Sequence, residues 1–222
     1  QAQSVRGDAL RKDGQWNYFL TGDEDIAYVR MTTFGERSVA ELREVLQFEN
    51  QHVEALILDL RGNVGGLLEA AVDVCDMFIA DGKIVSIRGR DGEDQSVYMA
   101  SKENIIFEPS IPIAVLVDGY SASASEIVAA CLKDHGRAAI VGQRTWGKGT
   151  VQNVIPLERG TSALKLTTAS YWRPNGKNIH RLRDATADES WGVRPSKGLD
   201  VPLTDDTYRK VFEQRRENDV YR

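Results

Sequence analysis

Ser121, Ser123 and Ser125 occupy every second position at the end of an apolar run, in VDGYSASASEIVAACLKDHG. A second apolar run, AAIVGQRT, leads to a lysine between two glycines, Gly147-Lys148-Gly149. A hydroxyl is a weak nucleophile until a neighbouring group takes its proton. The small residues around each serine let the backbone turn sharply from strand to helix. Such a turn puts a hydroxyl where free N–H groups and the positive end of the helix dipole stabilise a forming anion. The pattern therefore predicts nucleophilic attack by a serine, with the base delivered from elsewhere in the chain.

Histidine is the first base to consider. His52 falls at the polar end of a helical pattern, His135 in a last helical turn beside Gly136, and His180 in a basic loop. Those places suit solvated or capping residues. Lys148 is the better candidate, since its flanking glycines allow close backbone approach and Trp146 offers an apolar wall. Lost solvation favours the neutral amine, and a lysine so held can titrate at roughly 7–8. On the residues alone, a glycine-flanked lysine is more often a surface-loop residue, so both readings stand.

Other motifs compete for attention. GQRTWGK, residues 142–148, fits the first seven places of the phosphate-binding G-x-x-x-x-G-K-[ST] loop, but Gly149 replaces the hydroxyl that would hold magnesium. A helix should follow that motif, whereas TVQNVIPL is β-branched. Arg61-Gly62-Asn63-Val64-Gly65-Gly66 is either half of an oxyanion hole or a tight crossover turn. Glu126 lies in a first helical turn, where the dipole favours a carboxylate in any protein. Gln152, four residues past Lys148, either holds the amine or faces solvent.

The elements that must position these groups alternate. IAYVRMTTF reads as a strand, and a helix follows with Ser38 as N-cap and Glu41 completing a capping box. EALILDLRG is apolar enough to be buried on both faces, which predicts a central place in a parallel sheet. LLEAAVDVCDMFIA is a second amphipathic helix; KIVSIRGR and SVYMA form a hairpin flap; IAVLVD is another buried strand. TVQNVIPL and SALKLTTASYWRP are long strands joined at Glu158, Arg159 and Gly160; residues 174–194 are a loop; TDDTYRKVFEQRREN closes as a surface helix. This alternation predicts βαβ crossovers and the α/β class. Residues 1–25 read as a polar segment with a short hairpin at Lys12, Asp13 and Gly14, a remnant of a preceding domain or linker. Residues 26–203 read as the core and 204–222 as the surface helix.

Composition narrows the classes. With 222 residues, 41% hydrophobic and 27% charged, the chain fits one large globular domain or a domain with a small appendage. A net charge of −5 argues against nucleic acid as partner. No run approaches the roughly 20 apolar residues of a membrane helix. The chain opens on Gln1 without a signal-peptide pattern, which suggests a fragment or processed chain, so its beginning does not reveal a compartment. Cys75 and Cys131 fall in apolar helical patterns, where free structural thiols are expected. The histidines lack metal-ligand spacing, and no metal or other cofactor is expected.

Three blocks, Asp59-Leu60-Arg61-Gly62-Asn63-Val64-Gly65-Gly66, Ser121-Ala122-Ser123-Ala124-Ser125-Glu126-Ile127 and Gly147-Lys148-Gly149-Thr150-Val151-Gln152, resemble in order and spacing the signatures of the carboxyl-terminal processing (tail-specific) serine proteases. The resemblance runs from about Ile26 to Leu203. It implies a Clp protease/crotonase-like fold, with mixed sheet and peripheral strands, and a Ser/Lys dyad: Ser123 as nucleophile, Lys148 as general base, Gln152 orienting the lysine, and the amides of Gly66 and Ala124 holding the oxyanion. It further implies serine endopeptidase activity near the C-termini of extended or unfolded protein segments, in an exported space such as the bacterial periplasm or cell envelope. A membrane-peripheral position and an oligomer are compatible with it. Val64 replaces the family's usual proline and is expected to loosen its turn, and the PDZ domain that generally precedes the core has no counterpart in residues 1–25. Those departures motivate an alternative, a non-catalytic peptide-binding or scaffold protein on the same fold. A crotonase-type acyl-thioester enzyme shares the oxyanion logic but gives no reason for a Ser/Lys pair.

Overall fold

Apolar runs too continuous for one-sided strands build the centre of the molecule. The computed structural model describes residues 3–48 and 52–220. In chain order the strands and helices are β1 (Val5–Arg6), β2 (Ala9–Leu10), β3 (Trp16–Asn17), β4 (Phe19–Leu20), β5 (Asp23–Met31), α1 (Ser38–Leu46), β6 (Ala55–Asp59), α2 (Leu68–Asp76), β7 (Lys83–Arg88) and β8 (Asp94–Met99). There follow β9 (Ile113–Val117), α3 (Ala124–Asp134), β10 (Ala138–Gly142), β11 (Thr150–Leu157), β12 (Ser162–Trp172) and α4 (Asp205–Asn218). The main sheet runs β1-β5-β6-β9-β10, with β4 also on β5. Its β5, β6, β9 and β10 are parallel, and β1 and β4 lie antiparallel to β5. This is the expected α/β arrangement, and β6 holds the central place its apolar run predicts.

A second, antiparallel sheet of order β11-β12-β7-β8 carries the peripheral strands. Helices α2 and α3 are the main cover of the parallel sheet: Ala71, Val74, Cys75, Val128, Ala129 and Leu132 are fully enclosed against Leu56, Leu58, Val115 and Ile140. Cys75 and Cys131 are free and buried in this layer, and burial pushes the Cys75 thiol well above its ordinary pKa. Among the described residues no helix is long and apolar enough to cross a membrane.

Two local expectations differ from the structure. Ser38 is the first helical residue of α1 and not its cap, which is Arg37 without a side-chain bond. Its buried hydroxyl instead receives the Gly35 N–H at 2.8 Å and donates to Thr33 O at 3.0 Å. Glu41 turns away from the helix start and accepts from Ser4 N at 2.8 Å, Ser4 Oγ at 2.6 Å and Val5 N at 3.0 Å. The early segment is accordingly part of the fold: Val5 is fully buried in the core, β1 extends the main sheet, and β2 and β3 form the small hairpin around residues 12–14.

The strand ends are locked by charge. Asp59, at the end of β6, is fully buried and accepts from Tyr28 Oη at 2.5 Å, Arg61 Nε at 3.0 Å and Arg61 Nη2 at 2.6 Å, and also from Arg215 of α4. Burial pushes the Asp59 carboxyl up, but the Arg61 bonds and the two guanidinium charges outweigh it and bring the pKa down to about 2. A depressed pKa adds stability above the unfolded value near 4, and that stability is lost as pH falls through the folded value. The shift corresponds to about 2 kcal/mol. Unfolding curves in denaturant at pH 7, 4 and 1.5 should show the gap between wild type and Asp59→Asn closing by about 2 kcal/mol between pH 4 and 1.5. A gap that stays constant would remove Asp59 from the acid response.

Candidate active site

The chain leaves β9 at Val117, turns at Asp118, and enters α3 at Ala124. Ser123, the residue before the helix, has φ 57° and ψ −116°. A non-glycine residue there costs about 1–3 kcal/mol and persists only where its surroundings dictate it. Two contacts do so. The Ser123 N–H donates to Glu126 Oε2 at 2.9 Å. The Gly65 backbone presses on the other side, where an added Cβ would lie 2.8 Å from Ser123 Cβ and 2.9 Å from Ala124 N. Gly65 itself has φ +101°, so any other residue would be both strained and in collision.

The structure separates the three serines. Ser121 is buried and donates to Leu60 O at 2.8 Å, and Ser125 is buried and donates to Asn63 O at 2.8 Å. Both tie the serine turn to the glycine-rich turn after β6. Ser123 is half-buried. Its hydroxyl ties to no other segment and faces only the Glu126 N–H in a capping box with its own helix. The hydroxyl open for chemistry is thus distinguished by geometry alone.

The turn from Arg61 to Gly66 stands beside it. Asn63 is buried; its side chain donates to Met31 O at 2.9 Å and accepts from Gly65 N at 2.9 Å, while its carbonyl also receives Ala122 N at 3.1 Å. These bonds brace the turn from within, while the Val64 side chain, 67% exposed, stands outside them. The peptide N–H groups of Gly66 and Ala124 have no hydrogen-bond partner among the described residues. Gly66 lies so close to Phe34 that an added Cβ would fall 2.1 Å from Phe34 O.

Glu126 is the residue whose role sequence reading undervalued. Fully buried, it accepts on Oε1 from Thr145 Oγ1 at 2.5 Å and Gly147 N at 2.7 Å, and on Oε2 from Ser123 N and from Lys148 N at 2.7 Å. One oxygen therefore joins the backbone of the candidate nucleophile to that of the candidate base. Burial pushes the Glu126 carboxyl up, opposed by the bonds from Thr145, Gly147, Ser123 and Lys148. The signal available in the sequence was a carboxylate within an otherwise apolar helix face, hidden by the ordinary preference for acids in a first turn.

The base side is less constrained. Gly149 lies where an added Cβ would meet His180 N at 2.2 Å, and Arg181 N donates to Gly147 O at 2.9 Å, so the loop backbone is held on a close-fitting neighbour. The Lys148 side chain is exposed and makes no hydrogen bond to Ser123 Oγ. Trp146 is 58% exposed and its side chain is no wall over the amine. Gln152 bonds Thr167 Oγ1 at 2.6 Å and Thr150 Oγ1 at 3.3 Å rather than Lys148, and a bulge between Val151 and Gln152 interrupts the strand alternation that would align the two side chains. His135 bonds Lys83 O at 2.7 Å and His52 pairs with Glu54 at the surface. The residues after Gly142 continue into strand β11, so the helix required by a phosphate loop is absent.

Fold and site together define a serine-bearing turn on an α/β core, and comparison with known proteins places it. Residues 25–190 match peptidase family S41, and the chain belongs to that family. It is 39% identical over 204 residues to a carboxy-terminal-processing protease of Bartonella bacilliformis, covering 88% of this chain and 46% of that protein. It is 34% identical over 182 residues to the carboxy-terminal processing protease CtpA of Bacillus subtilis, covering 81% of this chain and 36% of that protein. The solved photosystem II D1 C-terminal processing protease superposes with a TM-score of 0.70 at 32% identity, over 89% of this chain and 47% of that one. The architecture is that of S41 proteases, a Clp protease-like fold. The chain spans less than half the length of these relatives.

Glu126→Gln replaces an acceptor with a donor facing N–H groups. It should lower stability by roughly 2–3 kcal/mol and speed amide exchange at Ser123, Gly147 and Lys148. Unchanged protection at those three amides would show that the carboxylate does not hold the two halves together.

Proposed function

We propose that this chain is the protease core of a serine endopeptidase that cuts near the C-termini of extended protein segments. The observation that carries the reading is the shared Glu126 oxygen, which brings the backbones of Ser123 and Lys148 together, while Ser123 alone of its cluster has a hydroxyl tied to no other segment, on a strained backbone. Neutral Lys148 takes the Ser123 proton as Oγ attacks the scissile carbonyl. The oxyanion forms against the N–H groups of Gly66 and Ala124, and Lys148 returns the proton to the leaving amine. Water then hydrolyses the acyl-enzyme by the same route. Gln152 orients the amine once the side chain of Lys148 turns inward.

Substrate adds as a strand on the free edge of β11, whose first residue lies two beyond Lys148. Its apolar side chains meet Val64, Leu67, Tyr120 and Trp146, large exposed residues on the turns around Ser123. The bound segment also supplies the dry surroundings that a neutral amine needs. Kinship with bacterial and chloroplastic processing proteases supports work in an exported space.

Cleavage of a flexible peptide with an apolar C-terminal tail tests the dyad. Ser123→Ala and Lys148→Ala should each lower kcat/KM by about a thousandfold or more. Equal rates in all three proteins would leave a peptide-binding scaffold as the better description.

A further inference from the structure

Helix α4 has no buried residue, yet three of its side chains converge on the turns that carry the active site. Arg215 Nη2 donates to Asp59, and Nη1 donates to Arg61 O at 3.3 Å. Its side chain is only 11% exposed. Phe212 closes on the same turn, where an added Cβ at Gly62 would come 3.0 Å from Phe212 Cζ. The Phe212 ring lies 4.5 Å from that of Tyr208, which in turn lies 5.3 Å from Tyr120, two residues before Ala122.

From this geometry we propose that Arg215 is a positioning residue for the oxyanion turn. The inference rests on the reading of Gly66 as an oxyanion donor. The guanidinium grips the turn at two places, the Asp59 carboxylate at its base and the Arg61 carbonyl inside it, and so fixes the Arg61–Gly62 peptide. Gly62 N then reaches Asp118 Oδ1 at 3.0 Å, at the root of the serine turn. Asn63 passes the constraint to Gly65, whose backbone packs closely against Ser123 and Ala124, and Gly66 is the next residue along the chain. A fastening role for α4 alone does not require this placement. Asp219 anchors the same helix elsewhere, through Arg6 at 2.6 Å and through Arg30.

The full chain as Arg215→Ala, Arg215→Lys and Asp219→Asn separates positioning from fastening. Active-site titration corrects for any unfolded fraction, and kcat and KM for a peptide are measured together with the affinity of a peptide boronate, whose adduct places oxygen where the oxyanion forms. Arg215→Ala should lose about tenfold or more in kcat per titrated site, with KM nearly unchanged and boronate affinity falling by the same factor. Arg215→Lys, which keeps the charge but loses the two-pronged grip, should recover part of the loss. Asp219→Asn should lower the melting temperature while keeping kcat. A wild-type kcat in Arg215→Ala, or an equal kcat loss in Asp219→Asn, overturns the proposal. Loss of boronate binding in Ser123→Ala checks the reading beneath it: if that variant binds boronate as wild type does, the adduct does not form on Ser123, and the reading of the site fails before the role of Arg215 is at issue.

Discussion

A single buried carboxylate holds the two halves of this site in register. Among the described residues no charged side chain bonds Glu126; it is satisfied by three backbone N–H groups and one hydroxyl. Burying a carboxylate without such bonds would cost several kcal/mol, so the loop 145–148 must fold around it for the core to close. The same carboxylate accepts from the N–H of Ser123, the residue held at a positive φ. The strained Ser123 backbone and the order of the loop thus meet at one buried carboxylate.

Two further buried acids repeat the device at neighbouring strand ends. Asp59 closes β6 with two arginines, and Asp118 closes β9 by accepting from Gly62 N at 3.0 Å, Tyr120 N at 2.9 Å and Ser121 N at 3.0 Å. Parallel strands deliver their C-terminal ends to one edge, where the following turns carry the reactive groups. The carboxylates convert that edge from a set of loops into a braced surface. Each acts on backbone N–H groups, so the surface keeps its shape whatever side chain stands at an exposed place such as Val64.

Much of this was legible in the sequence. Continuous apolar runs located β6 and β9, helical periodicity located α2 and α3, and the order of the blocks put Ser123 and Lys148 on adjacent turns. What escaped was nonlocal or ambiguous in type. Glu126 and Asp59 look like ordinary acids until their donors, nineteen or more residues away in part, are folded onto them. The Ser38–Glu41 spacing fitted a capping box, but the competing donors of Ser4 and Val5, brought in by β1, took the carboxylate. Trp146 beside Lys148 suggested a dry pocket, and only the folded chain shows the indole turned to solvent.

The two sides of the site are unequal in order, and the inequality has an energetic reading. The Ser123 side is fixed by backbone bonds and collisions; the Lys148 side has a fixed backbone but an exposed lysine. Freezing a lysine side chain costs up to roughly 2 kcal/mol. Burying one large apolar substrate side chain against Val64, Leu67 or Trp146 yields about 1.5–3 kcal/mol. Substrate contact can therefore offset the cost of ordering the amine side chain, whereas it could not rebuild the turn from Arg61 to Gly66, which involves several buried bonds. On the proposed mechanism, the part of the site left to be completed by substrate is the part that is least costly to complete.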